Sequence, residues 1–204
     1  EYKDGGGWKE MGRDRNIDAN LTYLEEENDT TLWAGSDMCG ILKIHIPREA
    51  SSSEDEKYLE NLKTRMYDTA DGLPSMDFNK VFRVGNRIYY LTRDGFYQYN
   101  RTDDCFIRDT LFDGRYLGKH VRFFNRAREK AYWVIFSNPG SSDEKLEHVE
   151  LKNDSLIIRN MAFKRMGMTN FQGLYTDEAY NWLPTANGLY TYNGDFKRDY
   201  GTSY

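Results

Sequence analysis

Three histidines come first among side chains that could do chemistry: His45, His120 and His148. None has a second histidine or a cysteine at metal-ligand spacing, so no metal site is read from them. His45 and His148 fall in alternating segments beside Ile and Val and read as surface or packed residues. His120 follows Gly118 and Lys119 in a loop, where a binding role is more open. No Gly-x-Ser-x-Gly elbow, phosphate-cradling loop or dinucleotide fingerprint occurs, and Gly5 to Gly7 reads as a turn before Trp8. The 33 acidic residues gather in runs such as Glu25 to Glu27, Glu54 to Glu56 and Asp103 to Asp104, which are ordinarily solvated. Asp29 and Asp103 sit in turns, but no Asp-x-Asp-x-Asp-Gly calcium loop is present. The expectation is a segment with no catalytic residues, no metal and no cofactor.

Composition narrows the partners. With 204 residues the chain can bury a core, and its 30% charged and 39% hydrophobic content is that of a globular protein. Aromatics reach 15%, which favours the half-buried surface of β-sheets. A formal net charge of −5 opposes binding to phosphate backbones, so no nucleic-acid partner is expected. No apolar run approaches the roughly 20 residues that span a bilayer, so any membrane contact would come through other parts of a longer protein. The abrupt start at Glu1, without Met, suggests a segment of such a protein. Cys39 and Cys105 are too few for a disulfide framework and read as small buried hydrophobes. Four Asn-x-Ser/Thr sequons, at Asn20, Asn28, Asn100 and Asn153, read as chance in a chain rich in these residues.

The elements that would carry any site repeat along the chain. An aromatic, a Ser or Thr shortly after it, a turn, a glycine and an alternating strand recur in order. They are Trp33, Ser36 and Gly40; Tyr89, Thr92 and Gly95; Trp182, Thr185 and Gly188. A weaker copy runs from Trp133 to Ser137, with its following strand at Leu146 to Leu151 after a longer turn. Measured at Ser36, Thr92, Ser137 and Thr185, the spacings are 56, 45 and 48, the first lengthened by an insertion at 47–63. Short runs at Lys80 to Val84, Arg87 to Thr92, Phe96 to Tyr99 and Cys105 to Arg108, split by Gly and Asn turns, give four strands per repeat. Helical periodicity is confined to Glu54 to Met66, read as a short surface helix.

A period near 45 with four short strands predicts an all-β chain, a β-propeller of four-stranded antiparallel blades. The blades fall at about 17–68, 80–112, 120–164 and 170–200, after a partial leading blade at 1–12. Four blades favour a seven- or eight-bladed parent ring over a free-standing one. Trp33, Tyr89, Trp133 and Trp182 are then wedges between sheets, and Gly40, Gly95 and Gly188 serve the turns. Ligands of propellers meet the loops at one end. Those loops hold Arg13, Arg15, Asp71, Arg93, Asp94, Arg115, Lys119, His120, Asn170 and Asn187, a rim suited to an anionic or polyhydroxylated ligand. Read singly, each of these basic residues is more simply the partner of a neighbouring acid.

The run Asp71, Gly72, Leu73, Pro74, the closing runs Thr92 to Tyr99 and Thr185 to Tyr192, and Trp33 to Ser36 resemble the two-component regulator propeller repeat. That repeat occurs in sensors of Bacteroidetes hybrid two-component systems and in triple-tyrosine-domain regulators. Tyr89 in place of Trp, and the absent Gly-Leu-Tyr ending after Trp133, depart from it. The resemblance implies a periplasmic or extracellular signal-transduction sensor that binds a small molecule or oligosaccharide. It also implies a possible homodimer through the parent protein, with any kinase or DNA-binding output elsewhere. The alternatives are a protein-interaction or dimerisation platform and, behind it, a propeller-fold hydrolase or lyase.

Overall fold

The computed structural model describes residues 3–4, 7–8, 17–46, 62–128, 130–153, 155–160, 171–177, 180–186, 188–192 and 202–203. A short hairpin, β1 (Lys3–Asp4) and β2 (Gly7–Trp8), comes first. Four antiparallel four-stranded sheets follow, each a meander of consecutive strands. The first holds β3 (Leu21–Asn28), β4 (Thr31–Ser36), β5 (Ile41–His45) and β6 (Lys63–Tyr67). The second holds β7 (Lys80–Val84), β8 (Arg87–Thr92), β9 (Gly95–Asn100) and β10 (Cys105–Arg108). A single helical turn, α1 (Asp113–Tyr116), leads into β11 (His120–Arg128), β12 (Ala131–Ser137), β13 (Glu144–Lys152) and β14 (Ser155–Asn160). The last sheet holds β15 (Tyr175–Thr176), β16 (Asn181–Thr185), β17 (Gly188–Tyr192) and β18 (Thr202–Ser203). The chain is all-β, and its sheets are consistent with the blades expected from the repeat.

Strand alternation sorts the core into layers between sheets, because successive side chains leave a strand on opposite faces. In β8, Tyr90 packs with Trp33, Ile41 and Tyr67 of the first sheet, while Tyr89 and Leu91 pack with Tyr132, Val134 and Phe136 of the third. In β12, Trp133 and Ile135 turn the other way, onto Phe171, Leu174 and Leu183. These two middle strands therefore bury both faces. Trp33 is fully buried, its ring 5.2 Å from Tyr90 and 4.8 Å from Tyr99 across the first interface. Edge-to-face rings at these separations add to the area they remove from water.

The repeated hydroxyls and glycines close the turn after the second strand in the first, second and fourth sheets. The Ser36 hydroxyl donates to the Gly40 carbonyl at 2.9 Å and accepts from the Cys39 amide at 2.7 Å. Thr92 does the same with Gly95 and Asp94, and Thr185 donates to Gly188 at 3.1 Å. Gly40 sits at φ +81°, and a Cβ there would run into the carbonyl oxygen of Tyr67. Both conformation and space demand glycine.

Three expectations change. Residues Lys63 to Met66 are strand, not helix: they form the outer edge of the first sheet, where exposed polar side chains carry no two-residue period. Leu62 precedes that strand without regular structure, and residues 54–61 lie outside the described residues. Ser137 is not the counterpart of Ser36. Glu25 faces Trp33 as Asn125 faces Trp133, and Leu21 faces Ser36 as Val121 faces Phe136, so the first and third sheets match at an offset of 100 residues. The counterpart of Ser36 is thus Phe136; Ser137 lies one residue further on. Cys39 and Cys105 are free and half-buried rather than buried.

Gly40→Ala is expected to cost on the order of 3 kcal/mol of unfolding free energy, from strain at positive φ and the backbone clash. Gly140→Ala, at φ +73° with nothing near its Cβ, should cost only about 1 kcal/mol. Denaturant titration of both proteins measures the difference.

Candidate functional site

Most of the expected rim residues that lie among the described ones contact neighbours of their own. Arg93 lies over the ring of Phe78 at 4.6 Å. Asp94 is ion-paired with Arg108 on its own sheet. Arg115 turns from α1 into the third sheet, where its Nε meets the fully buried Glu147 at 3.2 Å. The carboxylate also accepts from the Tyr116 hydroxyl at 2.9 Å, and its hydrogen bond with the Arg115 guanidinium raises that group's affinity for its proton, against the effect of burial. Lys119 donates to the side-chain carbonyl of Asn138 at 2.7 Å. His120 opens β11, exposed and opposite Ser137. Asp71 closes a 3-10 turn and pairs with Arg65 at 2.8 Å. Arg13, Arg15, Asn170 and Asn187 lie outside the described residues. Elsewhere His148 packs 4.8 Å from Trp133, and Trp182 donates to Asp177 at 2.7 Å.

A different place gathers chemistry. A cavity of about 640 Å³ opens where the first strands of the sheets face one another, and β3, β7, β11 and β15 with its lead-in all line it. Its described lining includes Tyr23, Phe82, Phe123, Phe124, Tyr132 and Tyr175, and the cations Lys80, Arg83, Arg122, Arg126 and Lys130, against the carboxylate of Glu25. The local cause is strand irregularity. β3 and β11 each carry two register shifts, between Leu21 and Tyr23 and between Glu26 and Asn28 in one, between Val121 and Phe123 and between Arg126 and Arg128 in the other. A bulge takes one residue out of the ladder and re-aims its neighbours. Arg122 is such a residue, and its carbonyl accepts the ammonium of Lys80 from β7.

Lys80 is the centre of this site. By register with the second strands it occupies the level of Tyr23 and Phe123, since Leu91, Gly35 and Ile135 face the three. Its ammonium stands 5.2 Å from the Tyr23 ring centre and 5.6 Å from that of Phe123. Rings at this range stabilise a cation modestly. Arg122 is held by Glu144, with its Nη2 2.8 Å from Oε2, and it also donates to the carbonyl of Phe171. Burial first and the Arg122 charge second push the Lys80 ammonium down to about 8, with Asp37 opposing. Burial also raises Glu25, against the pull of Arg83, and raises Tyr23.

Sequence reasoning passed over these residues because it looked for binding in loops. One signal was present: with the first and third repeats aligned at the Trp positions, Tyr23 and Phe123 coincide, and Lys80 breaks an aromatic level.

Known proteins add the following. No family model matches the chain, and no curated protein does. Among solved structures it is similar to the extracellular domain of the one-component system BT4673 of B. thetaiotaomicron, with a TM-score of 0.59 and 15% identity. The match covers 95% of this chain and 25% of that one, so the chain spans about a quarter of the length of this neighbour. At that identity the likeness shows the fold alone. No helix among the described residues is long and apolar enough to cross a membrane.

The Lys80 environment has a pH signature. Its folded pKa, about 8, lies below the ordinary 10.5, so between these values the unfolded chain holds a proton the folded chain has lost. Stability then rises with pH across that window, whereas below about 8 both states are protonated and the cost of the buried charge is complete. Tyrosines with raised pKa act oppositely above about 10, so the clean range is about pH 8 to 9.5. Lys80→Met should lose this rise. Thermal melts of both proteins across the range check it.

Proposed function

We propose that the chain is the ligand-binding part of an extracytoplasmic propeller sensor, with its ligand held in the cavity between the first strands. The observation that carries this reading is the lining: aromatic faces and cations from all four sheets converge on one space of about 640 Å³. That is within the size range of small-molecule sites, and such sites combine apolar walls with a few placed polar groups. Aromatic faces suit the C–H faces of sugar rings, and the polar groups between them suit hydroxyls. An oligosaccharide fragment or another small polyhydroxylated molecule is therefore the ligand class we favour. The BT4673 extracellular domain supports an extracytoplasmic, signal-transducing setting for the same fold. In this reading the sheets bind and do not catalyse, and the signal passes to output parts elsewhere in the parent protein. The four sheets form one arc of a larger ring, whose central opening contains the cavity.

A second reading has its own observation. Ala34, Leu42 and Ile44 form a separate apolar cluster on the face of the first sheet turned away from the second, with Leu21, Leu32, Ile46 and Leu62 only partly covered. Ala34, Leu42 and Ile44 are already buried, so it is the partly covered margin of this face that suits a partner sheet, from the parent ring or from another subunit.

Thermal-shift screening of the intact parent protein against an oligosaccharide panel tests the first reading, because a ligand of the folded state raises the melting temperature by mass action. The expected stabilisation disappears in Phe123→Ala and survives in Lys119→Ala. The opposite pattern would place the ligand at the rim loops and overturn the cavity reading.

A further inference from the structure

Lys80 offers a charge that the protein leaves unanswered. Its ammonium has three donors; one reaches the Arg122 carbonyl, and among the described residues no carboxylate forms a salt bridge with it. The nearest cation, Arg122, already has its carboxylate in Glu144. Asp37 acts on Lys80 through space, while it accepts hydrogen bonds from Asn20 at 3.4 Å and Thr22 at 3.5 Å. The walls beside the ammonium are the rings of Tyr23 and Phe123. A cation removed from water and left without a counter-charge is costly, and an incoming anion relieves that cost.

We propose that the cavity selects ligands carrying an anionic oxygen group, carboxylate or sulfate, which takes the open donors of Lys80 while the attached ring lies between Tyr23 and Phe123. This deepens the reading of the cavity as a ligand site and rests on it. The site separates the two halves of such a ligand: the apolar ring face meets the aromatic walls, and the charged substituent meets the one ammonium between them. A neutral sugar satisfies the walls and leaves the ammonium as it was.

Binding is coupled to a proton. Glu25, Arg83, Arg126, Lys130 and the Tyr23 hydroxyl line the same cavity, and the charges that act on Lys80 are Arg122 from β11, with Glu144 behind it, and Asp37 from the turn after β4. Of the latter, Asp37 alone favours the charged ammonium in the free site, and burial with Arg122 outweighs it. An anion shifts the balance towards the protonated form. Near pH 8 about half of the Lys80 side chains lack the proton, so anion binding draws about half a proton per site from the buffer. Near pH 6 the uptake vanishes. Affinity falls as pH rises above about 8.

The test is titration calorimetry of the intact protein with glucuronate, glucose 6-sulfate, inorganic sulfate and glucose. Run at pH 8 in two buffers of different ionisation enthalpy, it reads the proton count directly. Glucuronate and glucose 6-sulfate are expected to bind with proton uptake, glucose at least 10-fold more weakly and without uptake. Whichever of the two anionic sugars binds more tightly distinguishes carboxylate from sulfate. Lys80→Met should lower the anionic-sugar affinity by about 10- to 100-fold, the worth of a charge-assisted hydrogen bond, and abolish the uptake. Lys80→Arg, which retains charge but does not titrate in this range, separates the two effects: it should keep part of the affinity with no proton taken up. Equal binding of glucose and glucuronate, full affinity in Lys80→Met, or no binding of either anionic sugar overturns the proposal. Glucose bound through Phe123 with no role for Lys80 would sink the anion selectivity and leave the cavity as a ligand site. Inorganic sulfate binding as tightly as the sugars would overturn the role of the rings.

Discussion

A four-stranded meander with apolar residues on both faces cannot stand alone, and every other feature of this chain follows from covering those faces. The alternation in β8 and β12 is the device. One strand supplies Tyr90 to the sheet before it and Tyr89 to the sheet after it, so each interface is built from two neighbours at once. Removing water from aromatic side chains at roughly 25 cal/mol per Å² gives the driving force, and the buried Trp33 and Trp133 carry large shares of it. Side-by-side stacking also leaves each sheet with no strand to pair with beyond its first strand, which creates the next problem.

The open edge of a first strand presents backbone groups that need partners. Here side chains supply them from the neighbouring sheet. Lys80 donates to the carbonyl of Arg122, Arg83 to that of Glu26, Arg122 to that of Phe171, and Asn125 to that of Leu174 at 2.8 Å. These four ties run between sheets where no ladder can form. They also explain why an acidic chain concentrates cations in one cavity: carbonyl oxygens call for donors, and Lys and Arg are donors only. The basic lining begins as a structural answer to an edge.

Much of the fold was legible in the residues. Gly40, Gly95 and Gly188 mark turns because only glycine accepts their positive φ, and short alternating runs locate β7, β8 and β10 as the structure has them. The register of the third repeat was not. Ser137 lies one residue from the true counterpart of Ser36, and a hydroxyl after an aromatic is too weak a signal to resolve one residue when Phe136 stands in its place. The site was still less visible. Tyr23, Lys80 and Phe123 are far apart in the chain and belong to three sheets; they meet only because first strands of neighbouring sheets lie side by side. Loop composition could place Arg93 and Lys119 in turns, but could not show that Asp94 and Arg115 are engaged by Arg108 and Glu147.

Lys80 shows how a scaffold requirement becomes a binding property. At its level the first and third sheets place aromatic rings, and a third ring would have been the cheaper residue there, since burying an ammonium costs more than burying a phenyl group. The tie to the Arg122 carbonyl recovers part of that cost, because a charge-assisted hydrogen bond is stronger than a neutral one. It does not recover all of it, as the downward displacement of the Lys80 pKa records. What remains is local instability in the wall of a cavity, of the kind proteins retain where a ligand relieves it. Arg122 is paired with Glu144, and its bulged backbone holds the carbonyl that Lys80 uses. The two neighbouring cations thus divide the work, one finished within the fold and one left for something that enters from outside.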